Sequence, residues 1–391
     1  MKYLRIEEFA EVITGGTPST KVEAYWNGNI PWLNSGELNR GLIDSSSNFI
    51  TKQGLSNSVA KMMPVDTVLI ALTGATTGVT ALLKIEACAN QSVTGILPSA
   101  HHIPKYLYYY LSSIREKIID QSYGGAQKHI SQGFVKKLII PLPPLDDQKR
   151  IVKILDKADT LRENRKQTIS LLDEYLKSTF LEMFGDPVKN PKGWKTDRLN
   201  NICHRLSDGP FGSKLKSEHY VEKGVRVIRL QNIGVNKFKD DNKAYISESY
   251  YDSDLNRYAC KPGEIVIATL GDPNIRACII PDHIKLSINK ADCIHCIPKD
   301  QVLNSEYLLS LLNLPQFQYS FDGLSHGETR SRVSSGQLKN VRVPLPKIDL
   351  QNKFAQAVQK TKIIKQKMLA QSEELENQFQ ALMQKAFKSA L

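Results

Sequence analysis

Cysteine and histidine come first, because at close spacing they can hold a metal or supply a nucleophile and its base. Cys293-Ile294-His295-Cys296 has the spacing of half a zinc site. No second close pair accompanies it, and Cys88, Cys203, Cys260 and Cys278 are scattered, so buried thiols at a strand edge are expected and no metal. His101-His102, His129, His283, His295 and His326 fall in predicted loops or strand ends without ligand spacing. The Pro143-Pro144 pair stands between Leu142 and Leu145, which excludes the Asn/Asp-Pro-Pro-aromatic loop of an amino-methyltransferase. Pro281-Asp282 lacks the Asp/Glu-x-Lys partner of a nuclease core, and phosphate-loop, His-Glu-x-x-His and Gly-x-Ser-x-Gly sequences are absent. The chain is expected to bind without catalysing, and to need no cofactor of its own.

What remains are polar, glycine-rich loops. Thr14-Gly15-Gly16-Thr17-Pro18-Ser19-Thr20 can press its backbone against a partner, and Trp26 to Trp32 is expected to turn the chain toward Leu33-Asn34-Ser35-Gly36. Thr73 to Gly78 is a second glycine-rich turn, and Gly124 to Ser131, with Gln127, Lys128 and His129, is the last loop before a strand at Leu138 to Leu142. A second set answers the first. Asp208 to Lys214 answers the opening loop, Val227 to Asn232 answers Ile30 to Ser35, and Pro262 to Ala268 answers Pro64 to Ile70. Asn289-Lys290 answers Asn90-Gln91, Tyr307 answers Tyr106, and Arg330 to Ser334 answers Gln127 to Ser131. An apolar frame kept while its loops diverge is what a reader of two targets would look like, although duplication with surface drift would leave the same trace.

These loops must be held by something, and the sequence supplies it twice. Asp146 to Phe184 contains no Pro or Gly, and its apolar residues recur every three or four positions, which predicts one long helix with an apolar face. Pro141-Leu142-Pro143, Asp146 and Gln148 recur 203 positions on as Pro344-Leu345-Pro346, Asp349 and Gln351, and a second helix of the same phase follows. Val65 to Leu72 predicts a buried strand, and Tyr106, Leu107, Tyr110, Leu111, Ile114 and Ile118 one helical face. The fold class is therefore α+β: two tandem α/β domains separated by two long helices, able to pair antiparallel as a coiled-coil-like spacer about a pseudo-twofold axis.

The 391 residues, 41% of them hydrophobic, are enough for two or three domains. The net charge of +12 favours a polyanionic partner and is spread over the domains, since residues 1–143 and 186–343 each hold only a small basic excess. No apolar run reaches eighteen residues, and Glu7, Glu8 and Glu11 interrupt any signal-like core, so a cytoplasmic protein is expected.

The repeated Pro-Leu-Pro-x-x-x-Asp-x-Gln motif, the tandem architecture and the helix ending Leu-Lys-Ser-Thr-Phe-Leu-Glu-Met-Phe-Gly-Asp resemble the specificity subunit of type I DNA restriction–modification systems over nearly the whole chain. The resemblance implies target recognition domains at 1–143 and 186–343, each reading one half of a bipartite, interrupted sequence in double-stranded DNA. It also implies spacer and docking helices at 144–185 and 344–391. Two methyltransferase subunits, which bind S-adenosylmethionine and methylate adenine, would dock on them. Endonuclease subunits using ATP and magnesium would join the restriction complex. On that footing the DNA-binding candidates are Thr17, Ser19, Thr20, Asn34, Ser35, Gln127, Lys128, His129, Ser213, Lys214, Lys216, Gln231, Asn232, Thr329, Arg330 and Arg332, with Lys136 a further phosphate clamp. Ile169, Leu171, Tyr175, Leu181 and Phe184, beyond the inner helical seam, are the docking candidates. A standalone two-domain DNA-binding or scaffold protein stays open as the alternative.

Overall fold

The computed structural model describes residues 2–124, 128–321 and 332–388. The two long runs without Pro or Gly form the helices Leu145–Phe184 and Ile348–Lys388. The first stops at Gly185, whose φ of +79° a side-chain-bearing residue adopts at a cost. The chain divides into two compact units, Met1–Lys166 with Ala370–Leu391, and Gln167–Leu369. Each long helix is thus shared between them.

In the first unit a five-stranded sheet runs Val12–Thr14, Val93–Ile96, Val68–Ala71, Thr80–Leu83 and Leu42–Ile43, and a three-stranded sheet runs Asn48–Ile50, Trp26–Leu33 and Cys88–Ala89. The apolar stretch expected as Val65 to Leu72 pairs only from Val68, because Asp66 takes a left-handed φ of +65°. Trp26 to Trp32, expected as a turn, is a strand. Asn27 (φ +59°) absorbs its irregularity, and the ladder slips between Trp26 and Ile30. The expected Tyr106 to Ile118 helix is two, Pro104–Ser113 and Arg115–Asp120, and Tyr106, Leu107, Leu111 and Ile118 lie in the core beside Ile151 and Leu155 of the central helix. Phe379, Met383 and Ala386 of the C-terminal helix complete that core. Arg162 reaches Glu376 at 2.7 Å and lies 4.1 Å from the centre of the Phe379 ring, while Phe387 meets Tyr106 edge-on.

The second unit repeats the plan. Cys203–Ser207, Cys293–Pro298, Ile265–Ala268 and Arg276–Ile279 form one sheet, and Tyr220–Val221, Tyr245–Ile246, Val225–Ile228, Ser287–Asn289 and Ala259–Cys260 the other. Phe180 and Phe184 of the central helix close its core against Tyr307 and Phe354, with Phe180 stacked on Tyr307 at 5.4 Å. Lys365 pairs with Asp173 at 2.6 Å.

The repeated glutamine explains the repeated motif. Gln148 is fully buried: its amide oxygen accepts from Ile103 N (2.8 Å), and its nitrogen donates to the carbonyls of Pro143 (2.9 Å) and His101 (3.3 Å). Gln351 does the same with Asn304 N, Pro346 O and Val302 O. Nearby, the Tyr106 hydroxyl donates to Pro141 O and the Tyr307 hydroxyl to Pro344 O. One side chain thus fastens the first turn of each long helix to the loop before a domain helix, satisfying a buried donor and two acceptors together.

Candidate nucleic-acid interface

The strand registers gather the first unit's polar loops at one end of its five-stranded sheet. Thr14 and Ile70 both face Thr94, and Ala71 faces Val93, so the loops after residues 14 and 71 and the one before 93 emerge side by side. Gly15 N and Gly16 N donate to Val93 O and Ala89 O. A Cβ on Gly15 would lie 2.2 Å from Ala89 O, so glycine is needed for this approach. Thr17 donates to Gln91, while Trp32 and Trp26 donate to Gly16 O and Ser19 O, which holds the loop and leaves Ser19 and Thr20 exposed. Asn34 and Ser35 arrive beside the same point, since Asn90 N donates to Leu33 O. The Asn34 amide oxygen caps the following turn at Gly36 N, and Ser35 is half-buried. Lys128 O accepts from Gly74 N and Thr77 Oγ1, joining the second glycine-rich turn to the last loop, with the Lys128 side chain exposed and His129 edge-on to Tyr123. Lys136 lies in the helix that Ser131 caps.

The second unit gathers its loops around Asn289–Cys293. A Cβ on Gly209 would lie 2.0 Å from Asn289 O, Lys290 N donates to Ile228 O, and Thr269 N donates to Asp292 O. Ser213, Lys214, Lys216 and Gln231 are exposed. Arg332 is exposed and pairs with Asp292 at 2.6 Å, so part of its guanidinium is already committed. Gln127, Thr329 and Arg330 lie outside the described residues.

Asn232 must be corrected. It is fully buried, donates to Lys239 O and Asp241 O and accepts from Arg229 N, so its side chain closes a turn of its own unit and has none of its groups left for a base. The loop correspondence shifts with it. Leu33 pairs with Ala89 as Ile228 pairs with Asn289, so Arg229 and Asn232 answer Asn34 and Glu37, and Asn289-Lys290 answers Ala89-Asn90. Pro262 to Ala268 likewise slides by one, because Ala268 faces Cys293 as Ala71 faces Val93. Sequence reasoning left Gln91 and Lys290 out of the candidates, although both stand at the centre of their loop clusters. Their signal was their place between paired strand ends.

On the helices, Leu171 (58% exposed) and Tyr175 (54%) lie open, while Ile169 and Leu181 are half-buried. Phe184, expected to face a partner, is 2% exposed between Tyr307 and Phe354 and is core. Leu161 and Ile364, which stand 203 positions apart at matching places on the two apolar stripes, are 58% and 44% exposed.

The cysteine pair belongs to an interior strand, not an edge. Cys293 and Cys296 lie three residues apart, so the strand sends them to opposite faces, one into each of two cores. Burial pushes the Cys293 thiol above its usual range, and the Cys203 thiol 3.6 Å away, together with burial, does the same to Cys296, whereas a thiolate is what a metal needs. His295 is buried with Nε2 2.7 Å from Glu264, and its pKa is lowered by burial. Among the described residues no group of three His, Cys, Asp or Glu is placed to share a metal, and no helix is long and apolar enough to cross a membrane.

Comparison with known proteins fits this duplicated plan. The chain matches the type I restriction modification DNA specificity domain at residues 1–172 and again at 191–377. It is 24% identical over 368 residues to the type I restriction enzyme MjaVIII specificity subunit of Methanocaldococcus jannaschii, covering 90% of this chain and 84% of the relative. It is 32% identical over 167 residues to the EcoR124I/EcoR124II specificity subunit of Escherichia coli, covering 41% of each. Among solved structures, a chain from a study of complex assembly and conformational transition of the type I R-M system superposes with a TM-score of 0.65 at 18% identity, covering 100% of this chain and 98% of that one. The type I S subunit of M. genitalium gives 0.51 at 18% identity, covering 99% and 96%. With two copies of the domain spanning most of its length, the chain belongs to the type I restriction–modification DNA specificity family.

Proposed function

We propose that the chain is the DNA-reading, non-catalytic subunit of a type I restriction–modification complex, with residues 1–143 and 186–343 each reading one half of a bipartite, interrupted duplex target. The observation that carries this is the pair of loop clusters, each gathered at one end of its own sheet, on frames that share the same glutamine and tyrosine ties but carry different loop residues. Lys128, Lys214 and Lys216 hold phosphates there, and Gln231 and Arg332 read base edges together with Ser19, Thr20, Asn34 and Ser35. Gln127, Thr329 and Arg330 of the same loops keep these roles as proposals from sequence.

Residues 144–185 and 344–391 pair antiparallel as a spacer with pseudo-twofold symmetry and dock two adenine methyltransferase subunits, to which endonuclease subunits add. The direction of pairing is supported inside each unit, since Arg162 meets Glu376 in one and Asp173 meets Lys365 in the other. At about 1.5 Å per residue, the 40-residue central helix is roughly 60 Å long, comparable to one and a half to two duplex turns. The work takes place in the cytoplasm, where chromosomal DNA lies. Sequencing modified adenines in cells with and without the gene tests the reading: a bipartite motif methylated only when the gene is present is expected, and identical methylation patterns would refute it.

A further inference from the structure

The loop Asp208 to Lys214 carries a residue that attention to its polar side chains passes over. Phe211 is 49% exposed, whereas Phe180, Phe184, Phe317 and Phe321 of the same unit are buried. A single exposed ring is ordinary. What sets this one apart is the backbone that presents it. Gly209 is seated against Asn289, while Gly212 has a φ of +54° and a Cβ there would meet nothing within 4 Å, so Gly212 serves the turn and not packing. Lys214 N donates to Phe211 O at 3.2 Å, and Lys214 O accepts from the Tyr250 hydroxyl at 2.7 Å. Tyr250 is in turn stacked on His219 at 4.5 Å. The loop is fixed at its base and its ring is left in water.

The surroundings suit a polyanion. Lys214 and Lys216 follow Phe211 closely in sequence and are exposed, and Lys290 from the same loop cluster lies 5.7 Å from the Tyr220 ring centre. The nearby acids are Asp208, half-buried, Asp292, already paired with Arg332, Glu218, 3.6 Å from Lys216, and Asp254, which acts on the Tyr250 hydroxyl. The corresponding loop of the first unit, Thr14 to Thr20, has Thr17, Pro18 and Ser19 at its tip and no aromatic residue.

Resting on the DNA-reading function proposed above, we infer that Phe211 is an apolar wedge that enters the base stack of the half-site read by residues 186–343, opening one step while Lys214 and Lys216 hold the flanking phosphates. Stacking between the ring and a base offsets the unstacking, and the lysines keep the opened step in register. Only one half of the target is distorted, because only one of the two loops carries a ring.

The test uses the full chain with its co-expressed methyltransferase subunits, on duplexes carrying the motif mapped by methylation, with 2-aminopurine replacing each adenine of that half-site and its flanks in turn. One position other than the methylated adenine, which the methyltransferase itself extrudes, should brighten on binding. Phe211→Ala should abolish that signal and weaken binding roughly tenfold, the loss of about one base–aromatic stack. Phe211→Leu, which keeps a bulky apolar tip, should retain part of both, and adenines of the other half should respond alike in all three proteins. Unchanged affinity and signal in Phe211→Ala would overturn the wedge. So would weaker binding with no brightening in the parent beyond the methylated adenine, which would place the ring outside the stack. A parent complex that failed to prefer the mapped duplex over a scrambled one would instead overturn the DNA-reading function, and the wedge with it.

Discussion

Removing one amide should unfasten one recognition domain and spare the other. In Gln148→Ala the Ile103 N–H and the carbonyls of His101 and Pro143 lose their partners, and a cavity opens at a position with no solvent access. Each unmet buried group costs on the order of 1–3 kcal/mol, and partial relaxation brings the total to about 3–5 kcal/mol. For a unit of this size that lowers the thermal midpoint by roughly 10 °C. Gln148→Met, which fills the space without the hydrogen bonds, should recover only a minor part of the loss. Hydrogen exchange during thermal unfolding reads the two units separately: the amides of the first should lose protection early in Gln148→Ala and those of the second in Gln351→Ala. A loss below about 1 kcal/mol, or equal loosening of both units by either substitution, would show that the glutamine does not fasten the helix to its domain.

Three further outcomes follow from the same geometry. Seven residues inserted after Lys166 and seven after Leu369, where the compact units divide, keep the apolar phase and lengthen each helix by ~10 Å. Methylation mapping should then show the same half-sites with the unread spacer longer by about three base pairs, and an unchanged spacer with full activity would rule out the helices as the ruler. Leu171→Asp with Tyr175→Asp alters two open positions, so the chain should keep its melting temperature while methyltransferase subunits cease to co-purify; full recovery of those subunits would show the face is misassigned. His102 is buried beside Phe9, and burial pushes its pKa down from 6.5 to about 4. The unfolded chain therefore takes up the proton first, and stability falls as pH drops from about 6.5 toward 4, by about 3 kcal/mol in all. Urea unfolding at pH 7 and pH 4.5 should show that slope shrinking by about 2–3 kcal/mol in His102→Gln, and an unaltered slope would remove His102 as its source.

The long helices were legible because nothing else explains forty residues without Pro or Gly under a regular apolar stripe, and the exact recurrence of Pro, Asp and Gln identified the repeat. Periodicity could not tell which apolar residue meets a partner. Phe184 and Leu171 lie on the same helix, yet Phe184 is core because Tyr307 and Phe354 stand opposite it, and Leu171 is not. Nor could residue type locate Asn232, since the amide that could read adenine can equally close a turn. Asn27 and Gly28 read as turn formers in what is a strand, because a left-handed residue can sit in an irregular ladder without ending it. The loop pairing slipped by one or two positions for a related reason. Strand register is set by hydrogen bonds between distant segments, such as Leu33 with Ala89, and no local pattern encodes them.

The sharing of each long helix between units sets an order of completion during synthesis. The second unit is assembled from continuous chain, since Phe180 is already made when Phe354 emerges. The first must wait, because Phe379, Met383 and Ala386 belong to its core and follow its own domain by some two hundred residues. At about 5–20 residues per second, the gap between Lys166 and the end of the C-terminal helix lasts roughly 10–45 s, during which a nascent first unit exposes apolar surface around Tyr106, Ile151 and Leu155. A premature stop codon near Ala370 would therefore injure the domain that was translated first, leaving its loops intact in sequence and unsupported in space.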